Sequence, residues 1–571
     1  MNAAVPVPAV VQNVRPIPAV QRAYFYLVAL VAIHMVVLAI ANLLRVGAEI
    51  ALNAPSGGFT GLPFVFSEFN RPSDQYREQA SLAIALLAVG LPAWLIHFQV
   101  AQRAALRSVE ERASALRSLY LHLVIFVTAL LALGYAERTA TLTLQGSVGL
   151  TFGQEENWPA RAAGAAAMSV TSAAVLAFHV RLSNADRHAT LISGRAAALR
   201  QAAYYTLAVI GLFAAASGAV QAISTIWEEF TPPASVRFEP FPPPPGRTQP
   251  PTADDFLRYR LVSLVPTIVG GIALWLGTWL LLQRGLRPAT PDGEVERRSA
   301  VRKLAIYFVV LITAILVLVQ ATNALAAIGR QLLGDPAFDN FTSVRRDLGD
   351  ALGWVAIFGA IWIFHRRVIW AEAAREAEVE RAATLRRLYT YLIGAIGLAM
   401  LAIGAAGMVG VFGSHVLGVN THPNRETAIY IALFLVGDVA WAFSWWQAQR
   451  RLDDDERRSF PRRFYLYLAI LGGVLGVLVF GSATLYRLLN AALAGSFPLA
   501  TWHDIWHFTV DAAVSAAVFG FHLRVVLADR SAQLPTIATH ALTVLVRAAD
   551  AAAARARLAS ALEGQTDISV R

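Results

Sequence analysis

The chain has 571 residues, of which 56% are hydrophobic and only 15% are charged, and its formal net charge is +10. Soluble domains carry about 25% charged residues, so this composition excludes an ordinary soluble enzyme. The lack of cysteine in the sequence excludes disulfide bonds, thiolate metal sites and cysteine nucleophiles.

Twelve apolar stretches follow one another along the chain, and each has the length of about 20 residues that a helix needs to cross a bilayer. They lie near residues 24–46, 80–101, 119–141, 163–183, 203–226, 261–282, 304–327, 351–370, 389–413, 427–448, 464–486 and 505–526. We therefore predict an all-α, polytopic membrane helical bundle of about twelve transmembrane helices. The order of the helices fits six repeated hairpins or three four-helix units.

The predicted hairpins divide the chain into five parts. They are a cytoplasmic N-terminal segment (1–22), hairpins one and two (23–200), hairpins three and four (201–385), hairpins five and six (386–530) and a cytoplasmic tail (531–571). The first span has full length and follows a segment rich in proline and valine, so we interpret it as a retained anchor and not as a cleaved signal.

Positive charge predicts the orientation of the spans. If the spans alternate, most of the 48 Lys and Arg residues fall on the side that holds both termini. Cytoplasmic connections retain such residues, and the anionic inner leaflet attracts them. We therefore expect a multi-pass protein of the cell inner (plasma) membrane with both termini cytoplasmic. The bilayer accounts for the net charge, so we expect no nucleic-acid partner, while protein partners in the membrane stay possible.

Two connections on the opposite side, residues 55–72 and 231–252, are rich in proline, glycine and phenylalanine. Such segments favour extended, solvated backbone. We interpret them as linkers, with a docking surface for a partner outside the membrane as the alternative.

The odd-numbered spans open with arginine followed by tyrosine. The clearest pairs are Arg22 with Tyr24, Arg117 with Tyr120, Arg386 with Tyr389, and Arg462 with Tyr465. Arginine and tyrosine favour the membrane boundary, because their apolar parts can stay in hydrocarbon while their polar ends reach the headgroups. We interpret the four tyrosines as repeated interfacial anchors.

The even-numbered spans close with an aromatic residue and a histidine. The histidines are His97, His179, His365 and His522. We interpret them as anchors of the returning helices. Four histidines could also ligate two b-type haems, but a stacked pair of haems needs ligands at two depths and these lie at the same end of different hairpins. We therefore expect no haem and no other cofactor.

The Arg-x-x-Tyr-x-Tyr-Leu opening, followed by a second helix that ends in an aromatic residue, histidine and arginine, resembles the bacterial membrane proteins grouped as the domain of unknown function 5671 family. The resemblance spans most of residues 20–530, and hairpins three and four match it poorly. It implies a multi-pass membrane location. The family brings no established activity, so the resemblance assigns no catalytic residue.

Four polar side chains inside the spans are candidates for a functional site. They are Asp438, Asp511, Gln320 and Asn323. A carboxylate at the centre of a membrane costs about 2.5–3.5 kcal/mol on insertion scales, so such residues often mark sites. Asp438 could bind a proton or cation in a hydrated cavity, and we favour the alternative that it caps a neighbouring arginine. We interpret Asp511 as part of a solvated helix start, and expect Gln320 and Asn323 to hydrogen-bond across helices.

His503 and His507 are four residues apart and could share a helix face as metal ligands, but a metal site needs a third ligand from elsewhere. We interpret this segment as an aromatic-rich interfacial cap. The sequence contains no phosphate-binding glycine loop, zinc-protease helix signature or nucleophile elbow. We therefore expect no metal site and no catalytic residue.

Three functions stay open at this point. We favour a noncatalytic scaffold or an accessory subunit of a membrane complex, because polar residues in the spans are few and small-residue packing faces are plentiful. A transporter or channel for an ion or small solute would need broken helices near the midplane. The only hints of such breaks are Pro92, and Pro266-Thr267 with Gly270-Gly271. An intramembrane lipid-modifying enzyme would need histidine and aspartate side chains that converge.

Overall fold

The computed structural model describes residues 18–54, 75–150, 157–230, 253–286, 296, 299–334, 344–373, 380–419, 423–532 and 550–561. The regular structure in these ranges consists of α-helices. The two proline-rich connections, 55–72 and 231–252, lie outside the described residues.

Twelve long helices carry the fold. They are α1 (Ala19–Ala51), α2 (Gln75–Arg107), α3 (Ala115–Ser147), α4 (Trp158–Ala189), α5 (Gly194–Phe230), α6 (Ala253–Gly285), α7 (Ala300–Leu332), α8 (Val344–Ala373), α9 (Glu380–Val416), α10 (Pro423–Arg450), α11 (Phe460–Leu493) and α12 (Leu499–Ala532). Each contains a stretch long and apolar enough to cross a membrane. The predicted all-α bundle of twelve spans is therefore confirmed.

A helix suits a membrane span because it satisfies its own backbone hydrogen bonds, and hydrocarbon contains no water that could do so. Pro92 lies inside α2 and Pro266 inside α6, and both helices continue through the proline. The two prolines suggested helix breaks in the sequence, but the described parts of α2 and α6 contain no break at either proline. Serine side chains cap the starts of α3 and α7: Ser114 accepts from the backbone N–H of Arg117, and Ser299 from that of Arg302.

Consecutive helices pack as six hairpins, and the hairpins pair into three four-helix units. In each unit the first helix packs against the second, the third and the fourth. Unit 1 contains α1–α4, unit 2 contains α5–α8 and unit 3 contains α9–α12. The same helix contacts therefore recur in all three four-helix units, and the four-helix unit describes the repeat better than the single hairpin does.

The three units form a row. The third helix of unit 1, α3, packs against α5 and α6, and the third helix of unit 2, α7, packs against α9 and α10. The third helix of unit 3, α11, packs mainly within its own unit among the described helices. Only 6% of its most apolar stretch is buried, the lowest share of the twelve spans.

Glycine brings the two helices of a hairpin into backbone contact. A Cβ atom added at Gly271 of α6 would lie 2.5 Å from the backbone nitrogen of Ala215 in α5. A Cβ atom added at Gly437 of α10 would likewise collide with the backbone nitrogen of Leu401 in α9. Small residues at such points permit the close approach on which helix association in lipid depends.

Candidate functional site: a repeated network of buried charges

Each unit holds one arginine near the start of its third helix that is almost completely buried. The three are Arg117, Arg302 and Arg462, with 1%, 2% and 1% of their surface exposed. A guanidinium in this position has lost its water, and it is stable only if carboxylates and other acceptors replace that water. The neighbours of these arginines therefore define the network.

In units 1 and 3 the arginine binds an aspartate on the fourth helix through two hydrogen bonds. Arg117 Nε donates to Asp186 Oδ2 at 2.7 Å, and Arg117 Nη2 donates to Asp186 Oδ1 at 3.2 Å. Arg462 binds Asp529 through the same atoms at 2.7 and 3.2 Å. Two parallel bonds to one carboxylate fix both side chains as well as pairing their charges.

A glutamate extends the network of unit 3 to the first helix of the unit. Glu456 lies on a short helix, Asp454–Arg458, and is 3% exposed. Arg387 Nε donates to Glu456 Oε2 at 2.7 Å, and the Tyr391 hydroxyl donates to Glu456 Oε1 at 2.9 Å. Arg462 Nη1 in turn donates to the Tyr391 hydroxyl at 3.2 Å. The chain of contacts therefore joins α9, α11, α12 and the short helix.

Unit 1 repeats this arrangement around Glu111, which lies on the short helix Val109–Arg112. Arg22 Nη1 is 3.2 Å from Glu111 Oε2, and the Tyr26 hydroxyl donates to Glu111 Oε1 at 3.5 Å. Arg117 Nη2 also donates to Gln102 of α2 at 2.8 Å. Each of the four helices of unit 1 thus contributes a side chain.

Unit 2 keeps the glutamate and the tyrosine but changes the first arginine. The Tyr205 hydroxyl donates to Glu296 Oε1 at 3.1 Å and accepts from Arg302 Nη1 at 2.8 Å. Gln201 takes the place of the arginine and donates to Glu296 Oε2 at 3.0 Å. The preceding residue, Arg200, supplies the positive charge, with its Nη2 2.9 Å from the same oxygen.

A second set of polar contacts in unit 1 joins a tryptophan, a tyrosine and a histidine. His179 Nδ1 lies 2.9 Å from the carbonyl oxygen of Val175. A carbonyl only accepts, so Nδ1 carries the hydrogen and Nε2 of the neutral ring is an acceptor. The Tyr120 hydroxyl donates to His179 Nε2 at 3.1 Å and accepts from Trp94 Nε1 at 3.3 Å.

Unit 3 contains the same three side chains in the same relation. His522 Nδ1 donates to the carbonyl oxygen of Val518 at 2.8 Å. The Tyr465 hydroxyl donates to His522 Nε2 at 2.9 Å and accepts from Trp441 Nε1 at 3.0 Å. Every polar atom of this buried set has a partner, as buried groups require.

Unit 2 has the tryptophan and the histidine but lacks the tyrosine between them. Ala305 stands three residues after Arg302, where the other units have tyrosine. His365 Nδ1 donates to the carbonyl oxygen of Ile361 at 2.9 Å, and no described residue donates to His365 Nε2. Trp275 Nε1 is buried and has no hydrogen-bond partner among the described residues. Ala305, Trp275 and His365 all line one cavity, which is partly open to the surroundings.

The structure brings several of the predicted anchors together in tyrosine–histidine pairs. Tyr120 and Tyr465 are buried inside the bundle with His179 and His522, so their hydroxyls do not reach outward. The placement of these residues follows from hydrogen bonds between helices within a unit.

Of the other predicted anchors, Tyr24, His97 and Tyr389 lie nearer the surface, whereas His365 is buried. Tyr24 is 54% exposed, and its hydroxyl donates to His97 Nε2 at 3.2 Å. Tyr389 is half-buried and accepts from Trp362 Nε1 at 3.1 Å. His365 is 2% exposed and belongs to the cavity of unit 2.

The four polar candidates within the spans do not meet at one site. Asp438 is exposed in the middle of α10 and has no hydrogen bond or ion pair with any described residue. Asp511 is half-buried on α12. Asn323 Nδ2 donates to Gln320 Oε1 at 3.0 Å, a contact along α7.

The histidine pair near the start of α12 is close but incomplete as a metal site. The ring centroids of His503 and His507 are 4.6 Å apart. His507 Nε2 lies 2.8 Å from the hydroxyl of Ser414 on α9. Among the described residues, no group of three or more His, Asp or Glu side chains is arranged to hold a metal ion.

The sequence reasoning did not identify the glutamates of the network or the burial of its arginines, although a signal for both is present. Each unit contains Glu-Arg-x-Ser-x-x-Arg before its third helix, beginning at Glu111, Glu296 and Glu456. The serine lies at the helix start, and the arginine three residues later points back into the network. All three units share this motif with the same spacing, whereas the tyrosine three residues after the buried arginine is absent from unit 2.

The fold and the repeated network define a class: a multi-pass α-helical membrane protein built from three copies of a four-helix unit. Within that class, the chain belongs to the family described as Domain of unknown function (DUF5671), whose model matches residues 22–171, 244–349 and 387–521. The first and third matches begin at Arg22 and Arg387, which occupy the same place in units 1 and 3. No curated protein and no solved structure matches the chain.

Proposed function

We propose that the protein is a noncatalytic scaffold of a membrane complex and that its copies associate head to tail. The observation that carries this proposal is the open side of α11. Its counterparts α3 and α7 each pack against the first hairpin of the following unit, whereas α11 packs mainly within its own unit among the described helices. Apolar exposure alone does not mark an interface in lipid, since the lipid tails are equally apolar. The internal repeat is the reason to expect a partner there.

One position on the third helix contacts the next unit in both internal interfaces. His122 of α3 lies with its ring centroid 6.0 Å from that of Tyr204 in α5. Tyr307 of α7 lies 6.4 Å from Tyr389 in α9. His122 and Tyr307 stand at the same distance along the chain after the buried arginine of their unit.

The equivalent residue of unit 3 is Tyr467, which is 50% exposed. The residue of unit 1 that corresponds to Tyr389 is Tyr24, which is 54% exposed. A second copy that places α1 and α2 against α11 would bring these tyrosines together and repeat the internal interface. Because the two surfaces differ, this association is heterologous and produces a ring or an open row.

The networks favour a structural role over a catalytic one. Arg462 is bound to Asp529 and Glu456 is bound to Arg387, and these pairs hold the ends of the helices together. We further propose that this end of the bundle, with both termini, faces the cytoplasm at the inner membrane. The arginine-rich connections lie there, and the anionic inner leaflet is their natural partner.

Cross-linking tests the head-to-tail association, and the chain has no cysteine of its own to interfere. An internal reference exists across the interface of units 2 and 3. A Cβ atom added at Gly329 of α7 would lie 3.0 Å from the Cβ of Ala428 in α10. Gly329→Cys with Ala428→Cys is therefore expected to form an intramolecular disulfide on mild oxidation.

The corresponding positions at the open ends are Leu489 of α11 and Ser81 of α2, and both are exposed. Oxidation of membranes that contain the Leu489→Cys, Ser81→Cys variant is expected to produce dimers and higher species. Ser81→Cys with Val439→Cys, a 69% exposed position on α10, is the matched control. Monomer alone, or equal cross-linking of the control, would contradict the proposal if the Gly329 and Ala428 reference pair reacts.

A further inference from the structure

The middle unit differs from its neighbours at one position in the tryptophan, tyrosine and histidine set. The third residue after the buried arginine is Tyr120 in unit 1, Ala305 in unit 2 and Tyr465 in unit 3. The tyrosine hydroxyl of units 1 and 3 accepts from an indole N–H and donates to an imidazole nitrogen. Ala305 removes both the ring and the hydroxyl, and the cavity of unit 2 lies beside it.

Two polar atoms on residues that line this cavity have no protein partner in the described part of the chain. Trp275 Nε1 is a buried donor without an acceptor. His365 is 2% exposed, and because its Nδ1 donates to the carbonyl oxygen of Ile361, its Nε2 is an acceptor. A polar group that is shielded from water and unpaired is unfavourable, so a molecule that pairs both atoms would gain binding free energy from each.

The rest of the cavity is aromatic and aliphatic. Besides Trp275 and His365, its lining includes Tyr205, Trp279, Ile306 and Val309. Small-molecule sites commonly combine such a lining with a few polar groups that fix the orientation of the ligand. The cavity has this composition, and among its lining residues Trp275 carries a buried donor without a partner and His365 carries an acceptor.

The two polar atoms restrict the chemistry of the ligand. A water molecule could pair with both atoms but would leave the apolar lining uncovered. A lipid chain could cover the lining but would leave both polar atoms unpaired. An aromatic ring with a hydroxyl group does both, because one oxygen accepts from Trp275 and donates to His365 while the ring lies against the indoles.

We propose that unit 2 binds a membrane-soluble phenol or quinol, with the ring in the place that tyrosine takes in units 1 and 3 and the hydroxyl between Trp275 and His365. A free phenol and the headgroup of a lipid quinol share this chemistry. The site lies within one chain, so it does not depend on the association of copies.

Binding to the purified full-length protein in detergent tests the site directly. Isothermal titration with p-cresol, whose ring and hydroxyl match a tyrosine side chain, is expected to show one site per chain. Toluene lacks the hydroxyl, and 4-methylanisole cannot donate. Both are expected to bind about 10–100-fold more weakly, because they leave His365 Nε2 unpaired. Equal binding of p-cresol and toluene, or no binding of p-cresol, would overturn the proposal.

Variants locate the site. Ala305→Tyr supplies the missing side chain and Ala305→Phe fills the ring volume alone, so each is expected to abolish p-cresol binding. Tyr465→Ala recreates the cavity in unit 3 and is expected to raise the stoichiometry from one to two. Each variant must elute as a monodisperse species. Unchanged p-cresol binding in both Ala305 variants would show that the ligand binds elsewhere and overturn the assignment.

A competition experiment distinguishes the two sources of the ligand. A short-tailed isoprenoid quinol, kept reduced, is titrated into protein that is saturated with p-cresol. Displacement with higher affinity supports a lipid quinol as the ligand. Binding of p-cresol without displacement supports a small free phenol, and failure of both molecules to bind in the wild-type protein contradicts the proposal.

Discussion

Arg462 and Asp529 are joined by hydrogen bonds of 2.7 and 3.2 Å between α11 and α12. Asp529→Ala leaves the Arg462 guanidinium buried without its carboxylate, and we expect a loss of about 3–5 kcal/mol in the free energy of unfolding. Unfolding of the detergent-solubilised protein, followed by circular dichroism, measures this loss.

The double variant Arg462→Met, Asp529→Leu removes both charges at once. We expect it to be more stable than Asp529→Ala, because no buried charge is left unpaired. Single and double variants of equal stability would show that the pair is not coupled. Arg117 and Asp186 offer the same comparison in unit 1.

Tyr465→Phe keeps the ring and removes the hydroxyl between Trp441 and His522. Two buried polar atoms lose their partner, and we expect a loss of about 1–3 kcal/mol in the free energy of unfolding. Tyr486→Phe on the same helix is the control, since Tyr486 is 62% exposed. A loss in the control as large as that of Tyr465→Phe would contradict the role of the hydroxyl.

Asp438 and Asp529 are expected to respond differently to the same substitution. Asp438 is exposed in the middle of α10 and has no described partner, so Asp438→Asn should change the free energy of unfolding by less than about 0.5 kcal/mol. Asp529→Asn removes a charge that binds Arg462 and should destabilise the protein clearly. If Asp438→Asn proves equally destabilising, Asp438 has a partner within the chain.

The orientation of the bundle is testable with single cysteines in the cysteine-free sequence. Ser496 lies in the connection between α11 and α12, and Ser531 lies at the end of α12; both are exposed. A membrane-impermeant maleimide should label Ser496→Cys in intact spheroplasts and Ser531→Cys only after lysis. The reverse pattern would place the termini outside the cytoplasm.

Much of the fold was predictable, because the hydrocarbon of a membrane requires long, apolar helices. Twelve stretches were long and apolar enough to span hydrocarbon, and each became a long helix. The predicted resemblance to the family is also confirmed. The choice between six hairpins and three four-helix units needed the contacts of α1, α5 and α9, which pack against helices far along the chain.

The site was only partly predictable. Tyr120 and His179 were named from their repeated positions, but their hydrogen bond was not, because the rotation of a helix decides whether a tyrosine faces lipid or a neighbour. Arg117 was recognised as part of the arginine–tyrosine opening of its span. Its partner Asp186 was not identified, because it is 69 residues away on another helix. The Glu-Arg-x-Ser-x-x-Arg repeat was legible in the sequence and would have indicated the network.

The sequence by itself determined the number, type and length of the elements, since hydropathy acts over each stretch separately. It also determined that Ala305 replaces a tyrosine of the other units. Only the tertiary structure decided that this replacement leaves Trp275 and His365 facing one cavity. Pairing of a buried donor with its acceptor depends on how helices rotate and pack, and that is settled by contacts between distant parts of the chain.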